Sequence, residues 1–135
     1  LGDGTYLFSA RQEVDYINTH GTATPIGDVA EVKAIQQLFG EHAYALNITS
    51  SKSMLGHTMG AAGAVEAIIS ILSMQQGMVT PTINHEQGDE DPNIDYRLNF
   101  TFNQAQQRNI HYAMSNNYGF GGQNACLLFK NPNIQ

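Results

Sequence analysis

The chain has 135 residues, which suits one domain or part of one. Charged residues make up only 13% and the net charge is -6, so nucleic acid is excluded as a partner, since binding phosphates needs a basic face. No apolar run reaches the roughly 20 residues of a membrane span, and the single cysteine excludes an internal disulfide and fits a reducing, cytoplasmic setting.

Residues 1–13 show no clear period and read as an irregular lead-in to a domain over 14–135. Val14, Tyr16 and Asn18 alternate with Asp15 and Ile17, which predicts a short strand ending near Thr19. A Gly/Thr/Pro turn follows, and Asp28 opens a helix with Glu31 at the capping-box position. Val29, Val32, Ile35, Leu38 and Phe39 give this helix an apolar stripe, and Gly40 stops it. Ala43 to Thr49 read as a second strand, and the loop SSKSMLGHTMG comes next. A second helix is expected from Ala61 to Gln76, with Val65, Ile68, Ile69 and Leu72 on one face. An acidic loop occupies Gln87 to Asn93. Strands are expected at Asp95 to Asn99, His111 to Ser115 and Ala125 to Lys130, the last two joined by the Gly-rich turn NNYGFGGQN. The fold class is α/β.

Two histidines have similar settings. His20 follows a strand and precedes Gly21, while His57 follows Gly56 just before the second helix, with Lys52 five residues upstream. In α/β proteins ligands gather where strand ends feed helix starts. Two imidazoles brought together there can donate two hydrogen bonds to one oxygen, an arrangement that stabilises an enolate or oxyanion. Simpler readings stand beside this one. Asp28 and Glu31 can serve only as helix caps, and GFGGQN only as a hairpin turn. Cys126, in the apolar run NACLLFK, reads as a buried, inert strand residue. His42, His85 and His111 have no supporting motif, and no His/Cys/carboxylate set has zinc-ligand spacing. Glu66 falls within an apolar helix, where a lone carboxylate is costly. Lys52 is its natural partner, with a cation or the backbone near Asn116 as alternatives.

The segments VDYINTHGTATPIGD, SSKSMLGHTMGAAGAVEA and MSNNYGFGGQNACLLF, in this order and spacing, resemble the C-terminal half of the β-ketoacyl-acyl carrier protein synthases, and among these the elongating type I/II enzymes of fatty acid synthesis. The resemblance implies the C-terminal half of the thiolase-like αβαβα fold. It implies a decarboxylative Claisen condensation of an acyl-enzyme with malonyl-acyl carrier protein. By this resemblance His20 and His57 are the catalytic histidines, with Lys52 beside them and Glu66 setting local charge. Thr22 and Thr24 bind the phosphopantetheine arm. Phe120, within Gly119–Gly122, is the gating residue, and the loop including Gly119 and Gly121 supplies part of an oxyanion hole. Asn18, Glu66, Ser115 and Asn116 match positions around a structural sodium or potassium ion. No other cofactor is implied, since phosphopantetheine arrives on the acyl carrier protein.

The family's nucleophilic cysteine has no counterpart here, and no basic patch offers itself to an acidic carrier. The resemblance therefore implies that this chain supplies the His/His/Lys half of a split site. Its partners would be the acyl carrier protein, an N-terminal half carrying the cysteine, and a second copy in a homodimer, with neither nucleic acid nor membrane. It would be inactive alone. A non-catalytic chain-length-factor-like subunit and a polyketide-type ketosynthase fragment are the alternatives.

Overall fold

The computed structural model describes residues 11–133, so most of the expected lead-in lies outside the described residues. Strand β1 (Val14–Asn18) is followed by helix α1 (Pro25–Phe39), a 3₁₀ turn (Gly40–Ala45), β2 (Asn47–Thr49) and the one-turn helix α2 (Lys52–Leu55). A second 3₁₀ turn (Met59–Ala61) leads into α3 (Ala62–Gln76), and β3 (Met78–Val79), β4 (Gln106–Gln107), β5 (Tyr112–Gly119) and β6 (Gln123–Lys130) complete the order. The main sheet runs β2-β1-β5-β6. β1 pairs in parallel with both β2 and β5, and β6 returns antiparallel to β5.

One face of the sheet packs on α1. Val14, Ile17, Ile48 and Met114 meet Val32, Ile35 and Phe39 there. On the other face Tyr16 and Ala113 meet Met74 of α3. Val14 and Ile17 share a face because a bulge interrupts the β1–β5 register between Val14 and Tyr16, which breaks the strict alternation expected for this strand.

Several expected elements change. α1 starts at Pro25, three residues before Asp28, because proline is pre-shaped for the first helical position. There is no capping box: Thr24 is the N-cap without a side-chain bond, and the Glu31 carboxylate is used elsewhere. Only the last three residues of the expected second strand pair in the sheet, since Gly40–Ala45 coil into the 3₁₀ turn. Asp95–Asn99 form turns in place of a strand, with a single bridge from Asn99 to Asn47. β5 and β6 run further than expected and consume most of the Gly-rich turn, leaving Phe120–Gly122 as the connection.

Helix α3 is oriented against its sequence pattern. Its buried residues are Ala62, Glu66, Ser70, Ser73 and Met74, whereas Ile68, Ile71 and Leu72 are exposed. Cys126 is likewise exposed on β6 and is not a core residue. No described helix is long and apolar enough to cross a membrane.

Candidate active site

The parallel pairing of β1 with β2 and β5 brings three chain segments to the same end of the sheet. β1 delivers His20, β2 delivers Ser50, Ser51 and Lys52, and β5 ends in Asn116, Asn117 and Tyr118. The turn after β1 is tight. A side chain on Gly21 would place a Cβ 2.6 Å from Thr19 Oγ1 and 2.7 Å from Ser50 Cβ, and Gly21 has a positive φ of 33°. Glycine is therefore required where the two strand ends approach. The Ser50 hydroxyl donates to the Gly21 carbonyl at 2.6 Å and fastens the turn to β2. Ala23 sits in the left-handed region at φ 58°, a strained conformation for a residue with a Cβ. Thr22 and Thr24 flank it with their hydroxyls 3.2 Å apart.

The His20 and His57 rings meet edge-on, with centroids 5.6 Å apart and planes at 84°. His57 is exposed, and its Nδ1 accepts the Met59 amide N–H at 3.1 Å, which leaves the proton of the neutral ring on Nε2. His20 Nδ1 is buried with no partner, so a proton on Nε2 avoids a buried N–H without an acceptor. Burial, and next the nearby Lys52 ammonium, push the His20 pKa down and favour its neutral form.

Lys52 and Glu66 form a buried ion pair, as expected from the cost of a lone carboxylate. The second Glu66 oxygen accepts from Asn117 Nδ2 at 2.7 Å. Glu31 is the residue that sequence reasoning misassigned. Its carboxylate reaches back from α1 and accepts the backbone N–H groups of His20 and Gly21, each at 3.0 Å, and Asn116 Nδ2 at 3.2 Å. Burial raises its pKa despite these donors. Its signal was present in the sequence: Glu31 stands one turn before Ile35 on the buried stripe, where a carboxylate needs donors as much as Glu66 does. Asn117 and Tyr118 were also missed, having been assigned to a turn.

A cavity of about 530 Å³ opens beside Lys52, His57 and Thr22, and its far wall is Tyr96, Phe100 and Phe102. His85 lines it and stacks on Phe102 at 3.8 Å, while His42 and His111 bond Val14 and Asp15 away from the cavity. Phe120 is not part of the cluster; it is 99% exposed at the tip of the β5–β6 hairpin, beside Gly121 at φ 85°. Asn18, Ser115 and Asn116 are buried, and the Asn18 carbonyl oxygen has no partner. Among the described residues no three His, Cys, Asp or Glu side chains are grouped to hold a metal.

Residues 8–86 match the model of the β-ketoacyl synthase C-terminal domain, more than half of the chain. The chain belongs to the β-ketoacyl synthase family. Curated relatives include the 3-oxoacyl-[acyl-carrier-protein] synthase 2 of Staphylococcus aureus, 51% identical, and that of Coxiella burnetii, 48% identical, each over 88% of this chain. The chain spans 28% of the length of these relatives. Among solved structures it resembles the ishigamide ketosynthase/chain length factor, with TM-score 0.80, 36% identity, and coverage of 89% of this chain and 28% of that one. It also resembles a type II polyketide ketosynthase in complex with its acyl-carrier protein, with TM-score 0.82, 33% identity and the same coverage. The fold is accordingly that of the C-terminal part of the thiolase-like α/β ketosynthases.

Proposed function

We propose that this β-ketoacyl synthase domain supplies the His20/His57/Lys52 half of an active site for decarboxylative condensation in fatty acid elongation. The observation that carries the reading is the edge-on pair of imidazoles, His20 and His57, beside the Lys52–Glu66 ion pair. Both rings present Nε2–H, so both can donate to the thioester oxygen of a malonyl group on its carrier. When the carbon–carbon bond to the carboxylate breaks and carbon dioxide leaves, the electron pair moves into an enolate, and the two N–H groups stabilise its oxygen. Donors of this kind contribute about 3 kcal/mol each to a transition state. The enolate carbon then attacks an acyl thioester on a cysteine contributed from outside this chain, and that thiolate leaves. Burial, and next the Lys52 ammonium, favour neutral His20, which preserves its donor role against competing protonation.

Thr22 and Thr24 hold the phosphopantetheine arm, and Phe120, with the Gly119 and Gly121 backbone, gates the acyl side. The exposed position of Phe120 supports a hinged role there. A monovalent cation would be held by Asn18, Glu66, Ser115 and Asn116, a reading supported by the buried Asn18 carbonyl oxygen, which lacks a partner and is a hard oxygen ligand suited to sodium or potassium. Such an ion would supply a fixed positive charge. Acyl carrier protein is the delivering partner, a reading supported by the structural relative bound to one. The share of the relatives' length that this chain spans supports an N-terminal half of the synthase as the source of the cysteine. The complete enzyme is read as a cytoplasmic homodimer.

The test joins the chain to a synthase N-terminal part and measures acyl transfer and carbon dioxide release separately. His20→Ala and His57→Ala should each abolish carbon dioxide release while acyl transfer survives better. Near-normal decarboxylation in both variants refutes the enolate role. It would then favour a chain-length-factor-like subunit, the reading to which the ishigamide relative lends some support. The chain alone should neither condense nor take up acyl label, and label on Cys126 that is lost in Cys126→Ala refutes that expectation.

A further inference from the structure

The buried His20 Nδ1 has no hydrogen-bond partner, so that nitrogen does not fix the ring's orientation. A histidine that must aim one nitrogen at a substrate normally has the other held by an acceptor. Here orientation has to come from packing. Two rings touch the imidazole: His57, on an exposed loop, and Tyr118, whose centroid lies 5.5 Å away with the planes tilted by 54°. Only Tyr118 stands on a strand. It lies in the antiparallel β5–β6 register opposite Asn124, a more rigid mount than a loop.

We propose that Tyr118 is a positioning residue for His20, its ring packed on the imidazole. The ring limits rotation of the imidazole beside the turn whose amides the Glu31 carboxylate accepts. Burial, and next the negative charge of Glu31, push Tyr118 ionisation up, so the phenol remains neutral. Asn116 binds Glu31 and Asn117 binds Glu66, so three consecutive residues of β5 serve the site together. The inference rests on the proposed role of His20 only for its catalytic consequence.

The test is carbon-13 relaxation at the His20 ring Cε1 in the chain itself, for Tyr118→Leu and Tyr118→Phe, with His42 and His111 as internal references. Ring order at His20 should fall in Tyr118→Leu and stay near the parent's in Tyr118→Phe, which keeps the ring, with the reference histidines unchanged. Unchanged His20 order in a folded Tyr118→Leu variant overturns the proposal. Should that variant fail to fold, Tyr118→Met decides: lowered order supports the packing role and parental order overturns it. In the complete enzyme, kcat for malonyl decarboxylation should fall about tenfold in Tyr118→Leu with KM unchanged, as expected for a small misplacement of a reacting group. Lowered ring order with undiminished decarboxylation would leave the positioning standing and count against the catalytic role of His20.

Discussion

Helices α1 and α3 are each 15 residues long and flank the same sheet, yet they bury opposite kinds of surface. α1 turns Val32, Ile35 and Phe39 inward, as its periodicity expects. α3 turns Ala62, Ser70 and Ser73 inward and leaves Ile68, Ile71 and Leu72 in the open. Each helix also buries one glutamate against the site. Glu66 of α3 is neutralised by Lys52, whereas Glu31 of α1 is held only by neutral N–H donors. The contrast teaches that an apolar stripe reports which face is meant to be dry, without saying what dries it. For α3 the small residues permit close approach to β5, and the large ones face away from this domain.

Breaking the charged side of the comparison should have the largest effect. Lys52→Met or Glu66→Gln removes one partner of a buried pair, and each should cost about 3–5 kcal/mol. The double substitution should cost less than the sum of the singles, since the second change removes an already stranded group. Urea unfolding of the chain measures both, and strictly additive costs would show the two residues to be independent. Next comes the apolar contrast. Ile35→Ala should destabilise by about 2–4 kcal/mol, whereas Leu72→Ala on α3 should stay within about 0.5 kcal/mol. Equal losses would mean that the exposed stripe is covered in the isolated chain.

The two glutamates can then be separated by pH. The Glu31 pKa is raised by burial above its ordinary 4.5, so in the interval just above that value the folded state binds more protons than the unfolded one. Stability therefore falls as pH rises through the interval, and the penalty is complete above it. Glu31→Gln should flatten this fall when unfolding is followed across weakly acidic pH. It should also lower stability overall, because an amide cannot accept at both of its positions. The smallest expected effect is at the turn before α1. Ala23→Gly relieves the left-handed strain but loosens the unfolded chain, so the net change should be a gain of no more than about 1 kcal/mol, read as a small rise in Tm.

Much of the site was legible because its parts are local. His20 and His57 stand in turns that the glycines announce, and the Glu66–Lys52 pair follows from the cost of a lone carboxylate. What the sequence hid is non-local. Whether Glu31 caps its own helix or reaches the amides of the preceding turn depends on the angle at which α1 meets β1, which no spacing encodes. β5 read as ending at Ser115 because Asn116–Gly119 look like turn residues, but pairing with β6 overrides that preference and carries Tyr118 into the site. Asp95–Asn99 failed in the other direction. Their alternation suits a strand, yet the chain supplies one bridge in place of a ladder.

The placement of β1 between β2 and β5 has a consequence in time. β2 lies close behind β1 in the chain, but β5 begins only at Tyr112. During synthesis the two histidines emerge before the asparagines and tyrosine that bind their surroundings. Long-range pairing of this kind is slow to form, because closing the intervening loop costs entropy before any contact rewards it. The β1–β5 pairing should consequently lock after the β1–β2 pairing, and Glu31 and Glu66 wait in a half-built core until the β5–β6 hairpin arrives.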